Sequence, residues 1–148
     1  MDAENTHQVF EWLWSSGQLS PADIQQLPAL GISAVINLAP PNSSNALPGE
    51  AELVAAQGLA YVQIPVDWLQ PDPAQFMQFV GVLQAFAGRK LWLHCAKNMR
   101  ASAFVYLYRK LILSETEDAA SLPMREVWSP NPVWQNFINQ VTTGHAQP

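Results

Sequence analysis

The chain predicts an α/β fold: a central, mostly parallel sheet of about four strands flanked by helices. Three observations carry this. Short apolar or β-branched runs alternate with longer segments of helical spacing, in the order strand, helix, strand, helix, strand, helix, which is the order of parallel strands joined by crossover helices. Lys90-Leu91-Trp92-Leu93-His94 is apolar without alternation, as a strand covered on both faces must be. Gly, Pro, Ser and Asp stand where helices should start and stop.

The elements follow in order. Ser20-Pro21-Ala22-Asp23 combines an N-cap, a first-turn proline and a capping-box acid, so a helix should run from here to about Leu30 and end at Gly31. Ile32 to Leu38 is β-branched and reads as a strand. Ala39 to Pro48 is a Pro/Asn/Ser loop, long enough to overhang a site at that strand's end. Gly49 to Gln57 is a short helix stopped by Gly58, and Leu59 to Val66 is the next strand. Asp72-Pro73 then caps a helix to about Phe86, with Phe76, Phe79, Val80, Leu83 and Phe86 on one face. The strand Lys90 to His94 follows, and Ala101 to Leu113 is apolar enough to be a helix covered on most sides. Two further helical turns are expected after Leu113, with Pro123 and Pro130-Asn131-Pro132 between them. Val133 to Ile138 should form the last helix, leaving a frayed tail from Gly144.

At 148 residues, 49% hydrophobic, the chain suffices for one domain spanning residues 1–148. No repeat, linker or low-complexity segment interrupts it. The formal charge of −5 argues against nucleic acid as a partner. Its distribution is more informative. No Lys or Arg precedes Arg89, so all seven positive charges fall near or after the third strand and favour a small anion. Arg109, Lys110 and Arg125 read as ordinary surface. The six tryptophans are not interleaved with positive charge and read as core and pocket wall.

A single cysteine excludes an internal disulfide and any redox cycle needing a resolving thiol. His7, His94 and His145 are far apart, which leaves a metal site without ligands, and no cofactor is implied. No Gly-x-Ser-x-Gly elbow is present. No apolar run is long enough to span a membrane, and the acidic, polar start lacks a signal-peptide pattern. The expected compartment is the cytoplasm, or the periplasm if a leader has been removed.

Chemistry concentrates in His94-Cys95-Ala96-Lys97-Asn98-Met99-Arg100-Ala101-Ser102, the turn between a buried strand and a helix. Backbone N–H groups at such a turn, at the positive end of a helix dipole, bind oxyanions and favour the nucleophilic thiolate. Cys95 is therefore the candidate nucleophile, and the loop amides from Ala96 to Ala101 are candidate oxygen ligands. Arg100 offers a planar fork of donors that Lys97 cannot. His94 is the candidate partner that fixes the loop. Ser102 either helps the thiolate leave or simply bonds the backbone.

This stretch resembles the signature of the cysteine-based protein tyrosine phosphatases, in which His-Cys, five residues, Arg and then Ser or Thr cradle a phosphate. Here four residues separate Cys95 from Arg100, while Ser102 keeps the family's place. Either the loop keeps its length and Arg100 reaches the anion from its last turn, or the loop is tighter and Ser102 has rotated away. A tighter loop resembles rhodanese-type sulfurtransferases, which would use a Cys95 persulfide. The rest of the chain resembles a bacterial phosphatase-like group named beta-lactamase-hydrolase-like. The matching pieces are Ser16-Gly17-Gln18-Leu19-Ser20, Ala34-Val35-Ile36-Asn37-Leu38, Ile64-Pro65-Val66-Asp67 and Val127-Trp128-Ser129-Pro130-Asn131. Ala39-Pro40-Pro41 departs from that group's usual arginine, and Leu19 from its usual proline.

The resemblance implies a dual-specificity-phosphatase-like fold. It also implies hydrolysis of a phosphate monoester, a small molecule or a phosphoprotein, through a phosphocysteine. Asp67 would be the general acid, at the end of its strand, with Asp72 second because it already serves as an N-cap. A pseudophosphatase that binds anions without turnover is a third reading.

Overall fold

The structure, a computed structural model, describes residues 1–146. Five strands, β1 (His7–Phe10), β2 (Leu13–Ser16), β3 (Ile32–Asn37), β4 (Ala60–Gln63) and β5 (Lys90–His94), form one sheet in the order β1-β2-β5-β3-β4. β1 and β2 pair antiparallel; the other neighbours are parallel. The register aligns Ser16, Asn37 and Gln63 with His94 in one row at the strands' carboxyl ends. Cys95 is thus the first residue beyond the central strand, where open α/β sheets bind ligands.

Helices α1 (Pro21–Gln26) and α2 (Glu50–Ala56) cover one face, and α3 (Pro73–Ala85) and α4 (Met99–Leu107) the other. Short helices α5 (Glu117–Ala120) and α6 (Met124–Val127) lead to α7 (Pro132–Ala146), which joins the second face. On the first face Leu19, Ile24, Leu27 and Val54 pack with Val35 and Trp92. On the second, Phe104 is the hub. Its ring lies 5.8 Å from Phe76, 5.6 Å from Phe79 and 5.6 Å from Phe137. Each such pair adds about 0.5–1.5 kcal/mol to the burial it accompanies.

The Ser20–Asp23 capping box forms: the Ser20 hydroxyl accepts from Asp23 N at 3.0 Å, and the Asp23 carboxylate from Ser20 N at 3.1 Å. α1 stops at Gln26 rather than near Leu30 because Pro28 lacks an N–H, and a 3₁₀ turn, Pro28–Leu30, leads to Gly31 at φ +80°. Three further differences from the sequence reading matter. The hairpin of β1 and β2 was not expected, since β2 is half serine and no Gly or Asn marks its turn. Ser15 and Ser16 are nonetheless fully buried, because Trp92 Nε1 donates to Ser16 Oγ at 2.8 Å and Ser15 Oγ accepts from the cysteine loop. The helix after Cys95 begins at Met99 and widens into a π-helix at Tyr108–Ile112, where Leu113 N bonds Tyr108 O at 3.1 Å. The tail expected from Gly144 is corrected: α7 continues through Ala146, since one glycine costs a helix only about 1 kcal/mol and no proline intervenes. The end of that tail, Gln147 and Pro148, lies outside the described residues. Among the described residues no helix is long and apolar enough to cross a membrane.

The fold raises the three tyrosines. Burial, with a smaller contribution from Glu50, pushes Tyr61 up to about 12, although the hydrogen bond from Asn37 Nδ2 acts the other way. Burial, then Glu117, pushes Tyr106 up to about 12, and burial raises Tyr108. Because the native pKa values exceed the ordinary value of about 10, the neutral phenols stabilise the fold below that pH, and this is lost as pH rises toward 12. A spectrophotometric titration should show native tyrosinate absorbance lagging behind that of the urea-unfolded chain. Coincident curves would contradict the burial described here.

Candidate active site

The loop after β5 is held from outside, carbonyl by carbonyl. His94 Nδ1 lies 3.0 Å from the Cys95 carbonyl; a carbonyl only accepts, so Nδ1 carries the proton and donates. The Ala96 carbonyl accepts from Gln18 N and from Asn45 Nδ2, both at 3.0 Å. The Lys97 carbonyl accepts from Asn5 Nδ2 at 3.0 Å. In a trans peptide the C=O and the following N–H point opposite ways. Carbonyls drawn outward toward these donors therefore turn the N–H groups that follow them away from those donors.

Asn98 adopts φ +67°, a left-handed conformation that asparagine tolerates better than most residues, and it is fully buried. Its carboxamide donates to Asn5 O at 2.7 Å and to Ser15 Oγ at 3.1 Å. Asn98 thus ties the loop to the N-terminal segment and to β2. α4 opens at Met99 with Asn98 as N-cap, and the first four N–H groups of a helix have no carbonyl of their own. These belong to Asn98, Met99, Arg100 and Ala101.

A cavity of about 350 Å³ is lined by Ser43, Ser44, Trp68, Cys95, Ala96, Lys97, Met99 and Arg100. Cys95 is 1% exposed and Arg100 7%. Arg100 Nη1 donates to the Val66 carbonyl at 3.0 Å, and the guanidinium lies 5.8 Å from the Trp68 ring. Among the described residues no carboxylate pairs with Arg100. A buried cation whose remaining donors face a cavity can take an anion there.

The expected overhang of the loop from Ala39 to Pro48 is present through Ser43 and Ser44. The structure brings Arg100 to Cys95 in spite of the short spacing, and Ser102 turns away, its hydroxyl donating to Met99 O at 3.1 Å. Asn98, Ala101 and Ser102 do not line the cavity.

Asp67 is exposed, and its Oδ1 accepts from Leu69 N at 2.8 Å and Gln70 N at 3.2 Å. Asp67 itself does not line the cavity; its chain neighbours reach the site, Val66 through Arg100 and Trp68 as part of the cavity wall. Asp72 accepts from Ala74 N at 2.9 Å as the N-cap of α3. Both carboxylates thus serve a local turn, and the cap no longer separates them as candidate acids.

Sequence reasoning missed Asn5, Gln18, Asn45 and Glu50 as supports of the loop, and it put tryptophans on a pocket wall without singling out Trp68. Trp68 could have been suspected from its place after Asp67. Asn45 and Glu50 could not, since a loop amide and a helix-start acid are ordinary there. Glu50 is buried, its Oε2 within hydrogen-bond distance of His94 Nε2 and its Oε1 accepting from Gln18 Nε2 at 2.6 Å. Among the described residues no group of three His, Cys, Asp or Glu side chains could hold a metal ion.

Residues 2–136 match the family described as DSP-PTPase phosphatase fused to NAD+ kinase. A DUF442 candidate phosphatase from Shewanella putrefaciens CN-32 superposes with a TM-score of 0.86 at 32% identity, over 97% of this chain and 95% of that one. A cysteine-to-serine variant of P. aeruginosa TpbA, in complex with pTyr, gives a TM-score of 0.73 at 14% identity, over 97% and 91%. PTPMT1, in complex with PI(5)P, gives 0.75 at 16%, over 95% and 99%. The last two similarities are of fold. No curated protein matches the chain. The match over residues 2–136 places this chain in the family of dual-specificity-type protein tyrosine phosphatases described as fused to NAD+ kinase.

Proposed function

We propose that the chain hydrolyses phosphate monoesters through a phosphocysteine at Cys95. The observation that carries this is the buried Arg100, free of any carboxylate partner among the described residues and sharing a cavity with Cys95. In the first step the Cys95 thiolate attacks phosphorus and the ester P–O bond breaks. Asp67 gives its proton to the leaving oxygen. In the second, Asp67 takes a proton from water, which attacks phosphorus; the P–S bond breaks, releasing phosphate and restoring the thiolate. Arg100 and loop amides between Ala96 and Ala101 hold the other phosphoryl oxygens, where charge accumulates in the transition state. His94 holds the loop, and Ser102 shapes it through Met99. Two proteins of this fold are complexed with phosphate esters, pTyr and PI(5)P, in keeping with such a ligand class.

The sulfurtransferase reading is favoured by one observation, the four residues that separate Cys95 from Arg100. Two assays decide between them. Phosphate release from p-nitrophenyl phosphate with no thiocyanate from thiosulfate and cyanide is the expected result. Thiocyanate without phosphate would overturn the proposal, and oxyanion binding with neither product would make the chain a pseudophosphatase.

A further inference from the structure

Glu50 takes no part in the reaction above, yet it is buried to 5% exposure at the start of α2. Burying a carboxylate is unfavourable unless its oxygens are bonded, and both are: Oε2 faces His94 Nε2, and Oε1 accepts from Gln18 Nε2. His94 is itself fully buried, so its ring is held between Glu50 on one nitrogen and the Cys95 carbonyl on the other. That carbonyl shares a peptide plane with the Ala96 N–H, which must point the opposite way. A hydrogen bond to the carbonyl also polarises the amide and strengthens its N–H as a donor. Gln18 braces both ends, since its side chain bonds Glu50 while its backbone N–H bonds the Ala96 carbonyl.

We propose that Glu50 is a positioning residue for the anion loop, holding the His94 ring so that the Cys95–Ala96 peptide presents its N–H to an oxygen of the bound phosphoryl group. The identity of that ligand rests on the phosphatase reading; the geometry does not. An acid at the start of a helix could instead act only on stability, through the helix dipole, so the test needs readouts that stability alone would not move.

Three variants, Glu50→Ala, Glu50→Gln and Gln18→Ala, are compared with the wild type by thermal melt, tungstate affinity, kcat/KM on p-nitrophenyl phosphate, and the ¹⁵N-detected Nδ1–H signal of His94. Glu50→Ala should lower tungstate affinity and kcat/KM together by roughly 10–100-fold, the scale on which losing the partner that orients a metal-bound histidine acts, and the Nδ1–H signal should exchange away. Glu50→Gln, whose carboxamide can donate to Nε2 with the Cys95 bond intact, should recover most of both. Gln18→Ala should show a smaller loss of the same kind.

A folded Glu50→Ala with unchanged tungstate affinity overturns the proposal. If Glu50→Ala does not fold, a Gln18→Ala with unchanged affinity overturns it instead. If the wild type hydrolyses no ester, the phosphatase reading fails alone, because tungstate affinity and the His94 signal still report on Glu50.

Discussion

Cys95→Ser is expected to remove ester turnover, by on the order of 10⁴–10⁶-fold, the scale on which losing a nucleophile acts. The substitution exchanges the proposed sulfur nucleophile for a hydroxyl, a much weaker one without a general base, and His94 is engaged on both nitrogens with Glu50 and the Cys95 carbonyl. Oxygen is smaller than sulfur, so the buried position accepts it without strain. The oxygen ligands proposed here, Arg100 and the loop amides, are untouched. Phosphate or tungstate affinity should therefore persist while kcat collapses. Single-turnover kinetics and calorimetry on the same preparation make the comparison. A variant that retains wild-type kcat would remove Cys95 from the chemistry. One that loses oxyanion binding as well would mean that the sulfur itself shapes the loop.

The second large effect concerns the proton. Asp67→Asn should slow hydrolysis of an alkyl or phenyl phosphate by roughly 10²–10⁴-fold, the range of a general-acid contribution. The loss should shrink for p-nitrophenyl phosphate, whose leaving oxygen needs little protonation. Affinity should hold or improve, because a negative charge next in the chain to Val66 and Trp68 of the site is removed. Asp72→Asn should mainly weaken the start of α3, by about 0.5–2 kcal/mol at most for a lost cap. Its carboxylate has the same kind of local bond as that of Asp67, so the kinetics and not the turns assign the role. If Asp72 shows the loss that depends on the leaving group and Asp67 does not, the acid has been misassigned.

The parts of the fold legible in the sequence are those whose signals are local. A capping box, a glycine at positive φ and an apolar run act within a few residues, which is why the start of α1, β3, β5 and the turn at Cys95 stand close to their expected places. β2 was hidden because its burial depends on partners far along the chain: Trp92 and Asn98 satisfy two serines that read as loop. The loop's outer donors share this property. Asn5, Gln18 and Asn45 reach the loop from three separate segments, and nothing in their own surroundings announces it. Cys95 and Arg100 were readable from chemical type and spacing. Glu50 was not, because a helix-start acid is common and only the fold reveals that this one faces His94.

Rapid acid quench of the protein mixed with p-nitrophenyl phosphate tests most directly whether a covalent bond forms between Cys95 sulfur and phosphorus. Peptide mass spectrometry of the quenched protein should find a single phosphoryl group on the peptide carrying Cys95, accumulating further in Asp67→Asn, where water is no longer activated, and absent from Cys95→Ser. Phosphate release with no adduct on Cys95 at any quench time, or an added sulfur atom in place of a phosphoryl group, would contradict that bond.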